Sequence, residues 1–154
     1  MNGRSSYRLV FIAWLLASSV CSASRLDEPF IPILQQAAAA SSVPYEILHG
    51  LIERESSFRP RVIRCEINGD DGELGIAQLH PKYYDRATAC DPRRAIFKAA
   101  SILRRNYNAT HDWWKAAAAY NFGLERTLRV ERHGSTFPRA VRDYANFVTG
   151  GHHD

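Results

Sequence analysis

The chain has no apolar run of the length that crosses a bilayer and no stretch of sustained apolar–polar alternation. It also has no internal repeat and no linker-like segment. The first absence argues against a spanning helix, and the second argues against a sheet-built fold. The last two leave 154 residues to one domain. Excess charge is scarce: 20 Lys and Arg against 16 Asp and Glu leave a formal +4, too little to argue for a nucleic-acid partner. There are only three cysteines, and no His stands in a recognisable motif with them, so a catalytic thiol finds no support. What is present is core material. Apolar residues make up 45% of the chain, with three Trp, seven Tyr and seven Phe, which excludes wholesale disorder.

The N-terminus differs from the rest. Arg4 and Arg8 precede the run Leu9 to Ala17, and the small residues from Ser18 to Ser24 follow. This three-part pattern reads as a secretory signal at 1–23, cut near Ala23, with an uncleaved membrane anchor as the alternative. Ser19-Val20 before Cys21 is a poor lipidation site. Cleavage would remove Arg4 and Arg8 and no acids, lowering the charge from +4 by those two units. A mildly basic exported protein suits an anionic polymer such as a cell wall. Cleavage would also remove Cys21 and leave Cys65 and Cys90. In an oxidising compartment a disulfide between them is preferred to two free buried thiols.

The remainder, 24–150, reads as mainly α with a small irregular or hairpin segment. Ser42-Val43-Pro44 starts a helix, with Ile47, Leu48, Leu51 and Ile52 on one face. Asp91-Pro92 starts a second, carrying Ala95, Ile96, Ala99, Ile102 and Leu103. A third runs from Asp112 through Trp113, Trp114 and the alanines to Gly123. A fourth follows Pro138, with Val141, Tyr144, Ala145 and Val148 in step, and Gln35 to Ala40 form a short helix. Residues 64–75, rich in Gly, Asn and Asp, form a loop or small hairpin. The tail 151–154 reads as frayed, with no metal role for His152 and His153.

Glu55 continues the apolar face of its helix, four residues after Leu51 and three after Ile52, while Glu53 and Arg54 point elsewhere. A carboxyl at the end of a buried stripe loses hydration, which raises its pKa and suits it to donate a proton. Position alone leaves a plainer reading open, a Glu near a helix end paired with Arg59 or Arg61.

Three short stretches and a late tyrosine then bear on that choice: Glu55-Ser56-Ser57-Phe58, Gly75-Ile76-Ala77-Gln78, Ala119-Tyr120-Asn121, and Tyr144. Their order resembles the soluble-type lytic transglycosylases, relatives of goose-type lysozyme, over roughly residues 35 to 148. The resemblance implies a lysozyme-like helical domain with Glu55 as catalytic acid and Ser56, Gln78, Tyr120, Asn121 and Tyr144 around the sugar. Ser56 reads equally as a helix-end hydrogen bonder and Tyr144 as a core tyrosine. The implied substrate is peptidoglycan. Glu55 would protonate the oxygen of the β-1,4 bond between N-acetylmuramic acid and N-acetylglucosamine. It would then accept a proton from the muramyl C6 hydroxyl as a 1,6-anhydro ring closes. Such a reaction needs no cofactor, no metal and no second carboxylate.

The chain also departs from that family. Ala77 replaces a common Met before the Gln, and Phe122-Gly123 follows Ala-Tyr-Asn where Ala-Gly is common. The stretch from Phe58 to Gly75 is long and carries Glu66, Asp70, Asp71 and Glu73. Its Asn-Gly-Asp-Asp-Gly core resembles small members that accompany secretion or conjugation machines, so such a machine is a possible partner. A carboxylate from this loop activating water would instead make a hydrolytic lysozyme. A peptidoglycan-binding assembly factor without turnover is the alternative outside the enzymes.

Overall fold

The computed structural model describes residues 25–151. The expected signal segment, Cys21 and the end of the tail from His152 lie outside the described residues. A single 3-10 turn at Glu28–Phe30 leads into α1 (Ile31–Ser41), followed by α2 (Tyr45–Ser56) and the short α3 (Pro60–Ile63). After a long loop come α4 (Arg86–Ala89), α5 (Pro92–Thr110), α6 (Trp113–Phe122), α7 (Leu124–Arg132) and α8 (Arg139–Val148). Among the described residues there is no strand, only one antiparallel bridge between Leu74 and Leu79. The helical reading of the sequence therefore holds, as does the irregular segment within it.

Capping chemistry sets the helix starts. Asp91 accepts a hydrogen bond from the Arg94 N–H at 2.9 Å, with Pro92 opening α5. Asp112 does the same for the Lys115 N–H at 2.8 Å at the head of α6. Gly123, at φ 90°, ends α6 and lets α7 leave in a new direction. Pro44 sits at the N-cap of α2, one place before the first turn that the sequence suggested for it. The expected short helix from Gln35 to Ala40 is the inner part of a longer one.

Helix α6 is the central post. Its Ala116, Ala117, Ala118 and Ala119 are buried, and their small size brings α5, α7 and α8 close around it. Helices α1 and α2 pack on each other, α1 on α5, and α2 on α8. The α2–α8 contact depends on Gly50. A Cβ at that position would stand 2.6 Å from the Val148 carbonyl oxygen, so only glycine lets the two backbones approach this closely. That approach brings the end of α2 against the middle of α8.

The loop between α3 and α4 is tied down at both ends. Cys65 and Cys90 are bonded. Within the loop, Leu74 and Leu79 exchange backbone hydrogen bonds at 3.0 and 2.9 Å, closing a tight turn over Gly75 to Gln78. Gly75 has φ 72° and lies so near the Ala89 carbonyl that a side chain there would collide with it.

Candidate active site

Glu55 is the last but one residue of α2. Ile52 and Leu51 below it are fully buried, and its carboxyl lies at the wall of a cleft of about 450 Å³. Burial pushes its pKa up to about 7, with a small further push from the negative charge of Glu73. A hydrogen bond from Tyr144 and the positive charge of Arg54 pull in the other direction without cancelling the burial. The Tyr144 hydroxyl, on α8, bonds directly to Oε1 of Glu55. Neither Arg59 nor Arg61 pairs with Glu55. Arg61 faces Glu66 at 3.6 Å, and the Arg59 side chain donates to the Ser56 carbonyl at 3.1 Å.

The cleft is walled on one side by the loop and on the other by the end of α6. Gln78 holds a left-handed backbone at φ 47°, and its side-chain amide donates to the Gly75 carbonyl at 2.9 Å. A non-glycine residue held there is a strained position of the kind found at binding sites. Tyr120 lines the cleft with its ring and donates its hydroxyl to the Ala77 carbonyl at 2.8 Å, which fixes the loop to α6. Asn121 is exposed on the rim and makes no side-chain hydrogen bond among the described residues. Burial above all raises the pKa of Tyr120 and Tyr144 well above the ordinary tyrosine value, so both remain hydroxyl donors.

Of the residues singled out in the sequence, Glu55, Gln78, Tyr120 and Asn121 therefore meet at one cleft. Tyr144 stands behind the acid, only 4% exposed, and touches it without lining the cleft. Ser56 does not reach the cleft. It is fully buried, donating to the Ile52 carbonyl at 3.0 Å and accepting from the Phe58 N–H at 3.1 Å. Its geometry is that of a helix-end hydrogen bonder, because its place in the last turn of α2, four residues after the buried Ile52, points its side chain inward.

The cleft is also lined by residues outside the three motifs. Arg59 lines it, as does Gly69, where a Cβ would stand 2.6 Å from the Gln78 side-chain oxygen and 2.4 Å from a Glu73 carboxylate oxygen. Asp70, Asp71 and Glu73 from the acidic loop also line it, whereas Glu66 turns away to Arg64 at 2.7 Å. A second hollow of about 610 Å³ adjoins the first. It shares Glu73, Gln78, Tyr120 and Asn121 and runs on past Tyr83 and Phe122, making one groove.

One groove beside a carboxyl of raised pKa, in a helical domain, is the candidate active site. The profile of the transglycosylase SLT domain matches residues 32–141, most of the chain, and the chain belongs to that family. Peptidoglycan is the substrate that this membership implies, and the function is of the lytic transglycosylase type. Among curated proteins no relative matches the chain.

Proposed function

We propose that the protein cleaves the β-1,4 bond between N-acetylmuramic acid and N-acetylglucosamine with Glu55 as acid and then base. The observation that carries this is the Glu55 carboxyl, pushed up to about 7 by burial and facing an open groove. Protonated, it gives its proton to the bridging oxygen as the C1–O bond breaks, leaving N-acetylglucosamine with a free 4-hydroxyl. The carboxylate so formed accepts the proton of the muramyl C6 hydroxyl while that oxygen bonds to C1. The 1,6-anhydro ring closes, no water is consumed, and Glu55 returns to its starting state. Gln78 and Asn121 hold the sugar, Tyr120 supports the loop that carries Gln78, and Tyr144 aims the acid.

A second reading is favoured by one observation: Asp70, Asp71 and Glu73 line the same cleft. A carboxylate there that activates water would yield a reducing-end product by hydrolysis. Mass spectrometry of muropeptides after digestion of sacculi tests both. Anhydro products support the first reading, reducing-end products the second, and no products at all a binding protein. Export is part of the proposal. The signal-like pattern at 1–23, the Cys65–Cys90 bond and a cell-wall substrate all favour a site of action outside the cytoplasm. A secretion or conjugation machine as partner rests on the acidic-loop resemblance alone.

A further inference from the structure

Arg54 directly precedes Glu55 in the last turn of α2, yet it does not line the groove. Its guanidinium lies 5.8 Å from the centre of the Tyr144 ring and 5.6 Å from that of Phe147, both on α8. No carboxylate pairs with it among the described residues: Glu53 faces His49 at 3.9 Å, and Asp143 faces Arg139 at 3.6 Å. Phe147 is 48% exposed, so the two rings form a shelf at the surface, behind the acid and off the cleft. A guanidinium laid on two rings keeps its place, where a lone surface arginine sweeps through solvent.

A group that serves first as acid and then as base must carry both forms within one turnover, and burial opposes the charged one. Facing Glu55 are Tyr144 from α8, Tyr120 from α6 and Glu73 from the loop, with Arg59, Asp70 and Asp71 also lining the cleft. The charge of Glu73 adds to the opposition, whereas the Tyr144 hydrogen bond and the charge of Arg54 favour the carboxylate. We propose that Arg54 is a positioning residue for the reaction: Tyr144 and Phe147 park its guanidinium, and the parked charge steadies the Glu55 carboxylate that forms midway through the cycle. The inference rests on the acid-then-base reading above and extends it to a residue outside the groove.

The experiment titrates Glu55 by the carboxyl carbon resonance of protein labelled at the Glu side-chain carboxyls, assigned by its absence in Glu55→Gln. The proteins compared are the wild type, Arg54→Met, Arg54→Lys and Phe147→Leu. Arg54 and Phe147 are both exposed, and circular dichroism checks that the variants are folded. Met keeps a long unbranched stem and removes the charge. Loss of a cation that favours the carboxylate should raise the Glu55 midpoint in Arg54→Met, and added salt should narrow the gap to wild type. Arg54→Lys should bring the midpoint back, and Phe147→Leu, which keeps the charge but loses a ring, should show a smaller rise. In Arg54→Met, kcat for muropeptide release should fall about two- to fivefold, the loss that an exposed cation–π contact allows. KM should hold, because Arg54 does not line the groove. An unmoved midpoint in Arg54→Met overturns the proposal, and a rise that Arg54→Lys does not reverse assigns the effect to packing and overturns it too. Equal midpoints in the wild type and Phe147→Leu overturn the part given to the ring. The titration needs no turnover. A raised midpoint in Arg54→Met with no muropeptides released by the wild type overturns the cleavage and leaves the hold of the charge on Glu55 standing; release with an unmoved midpoint overturns the parked charge alone.

Discussion

The Tyr144 hydroxyl donates a hydrogen bond to the Glu55 carboxylate, joining residues 89 positions apart on α8 and α2. This bond favours the charged form of Glu55, while burial favours the neutral one, and burial prevails. The acid is thus held in one orientation and still protonated near neutrality. Tyr144 is itself steadied by the Arg54 guanidinium, which lies 5.8 Å from its ring centre and 5.6 Å from that of Phe147.

Replacing Glu55 with Gln should abolish muropeptide release while circular dichroism stays unchanged, since Gln is nearly isosteric. Loss of a general acid is worth about 10²–10⁴-fold. A variant still active at near the wild-type rate would sink the mechanism.

The pH dependence follows from the raised pKa. The first step needs protonated Glu55, so wild-type activity should fall as pH rises through about 7. Stability has the same sign. A carboxyl with a raised folded pKa is stabilising while protonated, and that contribution is lost as pH climbs from the unfolded value of about 4.3 toward about 7. Glu55→Gln should therefore melt higher than wild type at pH 8, with the gap closing at pH 5. Thermal melts at the two pH values check this.

Tyr144→Phe keeps the buried ring and deletes the donor. Because the lost bond favoured the carboxylate, the alkaline limb of the pH–rate profile should move to higher pH. The rate should drop by roughly tenfold or more as the acid loses its orientation. An unmoved limb would show that Tyr144 is only a core residue.

Gly50→Ala should force α2 and α8 apart at Val148, costing about 1–3 kcal/mol, as overpacking does. Activity should fall along with melting temperature, because the same displacement pulls Tyr144 from Glu55. Full activity in the folded variant would show that the two helices are not coupled in this way.

Reducing the Cys65–Cys90 bond, or replacing both with Ser, should lower stability by about 2–4 kcal/mol. The loop between them carries the Gly75 to Gln78 turn, so sugar binding should weaken as well. Non-reducing peptide mapping of exported protein should recover the two cysteines joined.

Asp70→Asn and Asp71→Asn should each retain most activity if the product is the anhydro sugar. Loss of activity in either, together with reducing-end products from the wild type, would favour hydrolysis.

The helices of the core were legible in the chain because their signals are local. The Asp91 and Asp112 caps, Gly123 as a stop, and the three- and four-residue spacing of Val141, Tyr144, Ala145 and Val148 lie within one or two turns of the helices they define. Helix α7 was not. It follows Gly123 directly and is only nine residues long, with a stripe of Leu124, Thr127 and Leu128 of which only Thr127 is buried. Glu55 was legible for the same local reason, as the continuation of a buried face. Ser56 shows the limit, since a motif names a residue but not whether its side chain faces the cleft or the core. What only the tertiary structure decided is who meets Glu55. The Tyr144 bond, the Ala77 carbonyl on Tyr120 and the approach of Gly50 to Val148 all join separate elements. Contacts of that kind depend on how helices pack in space, and no periodicity within one helix encodes its distance from another.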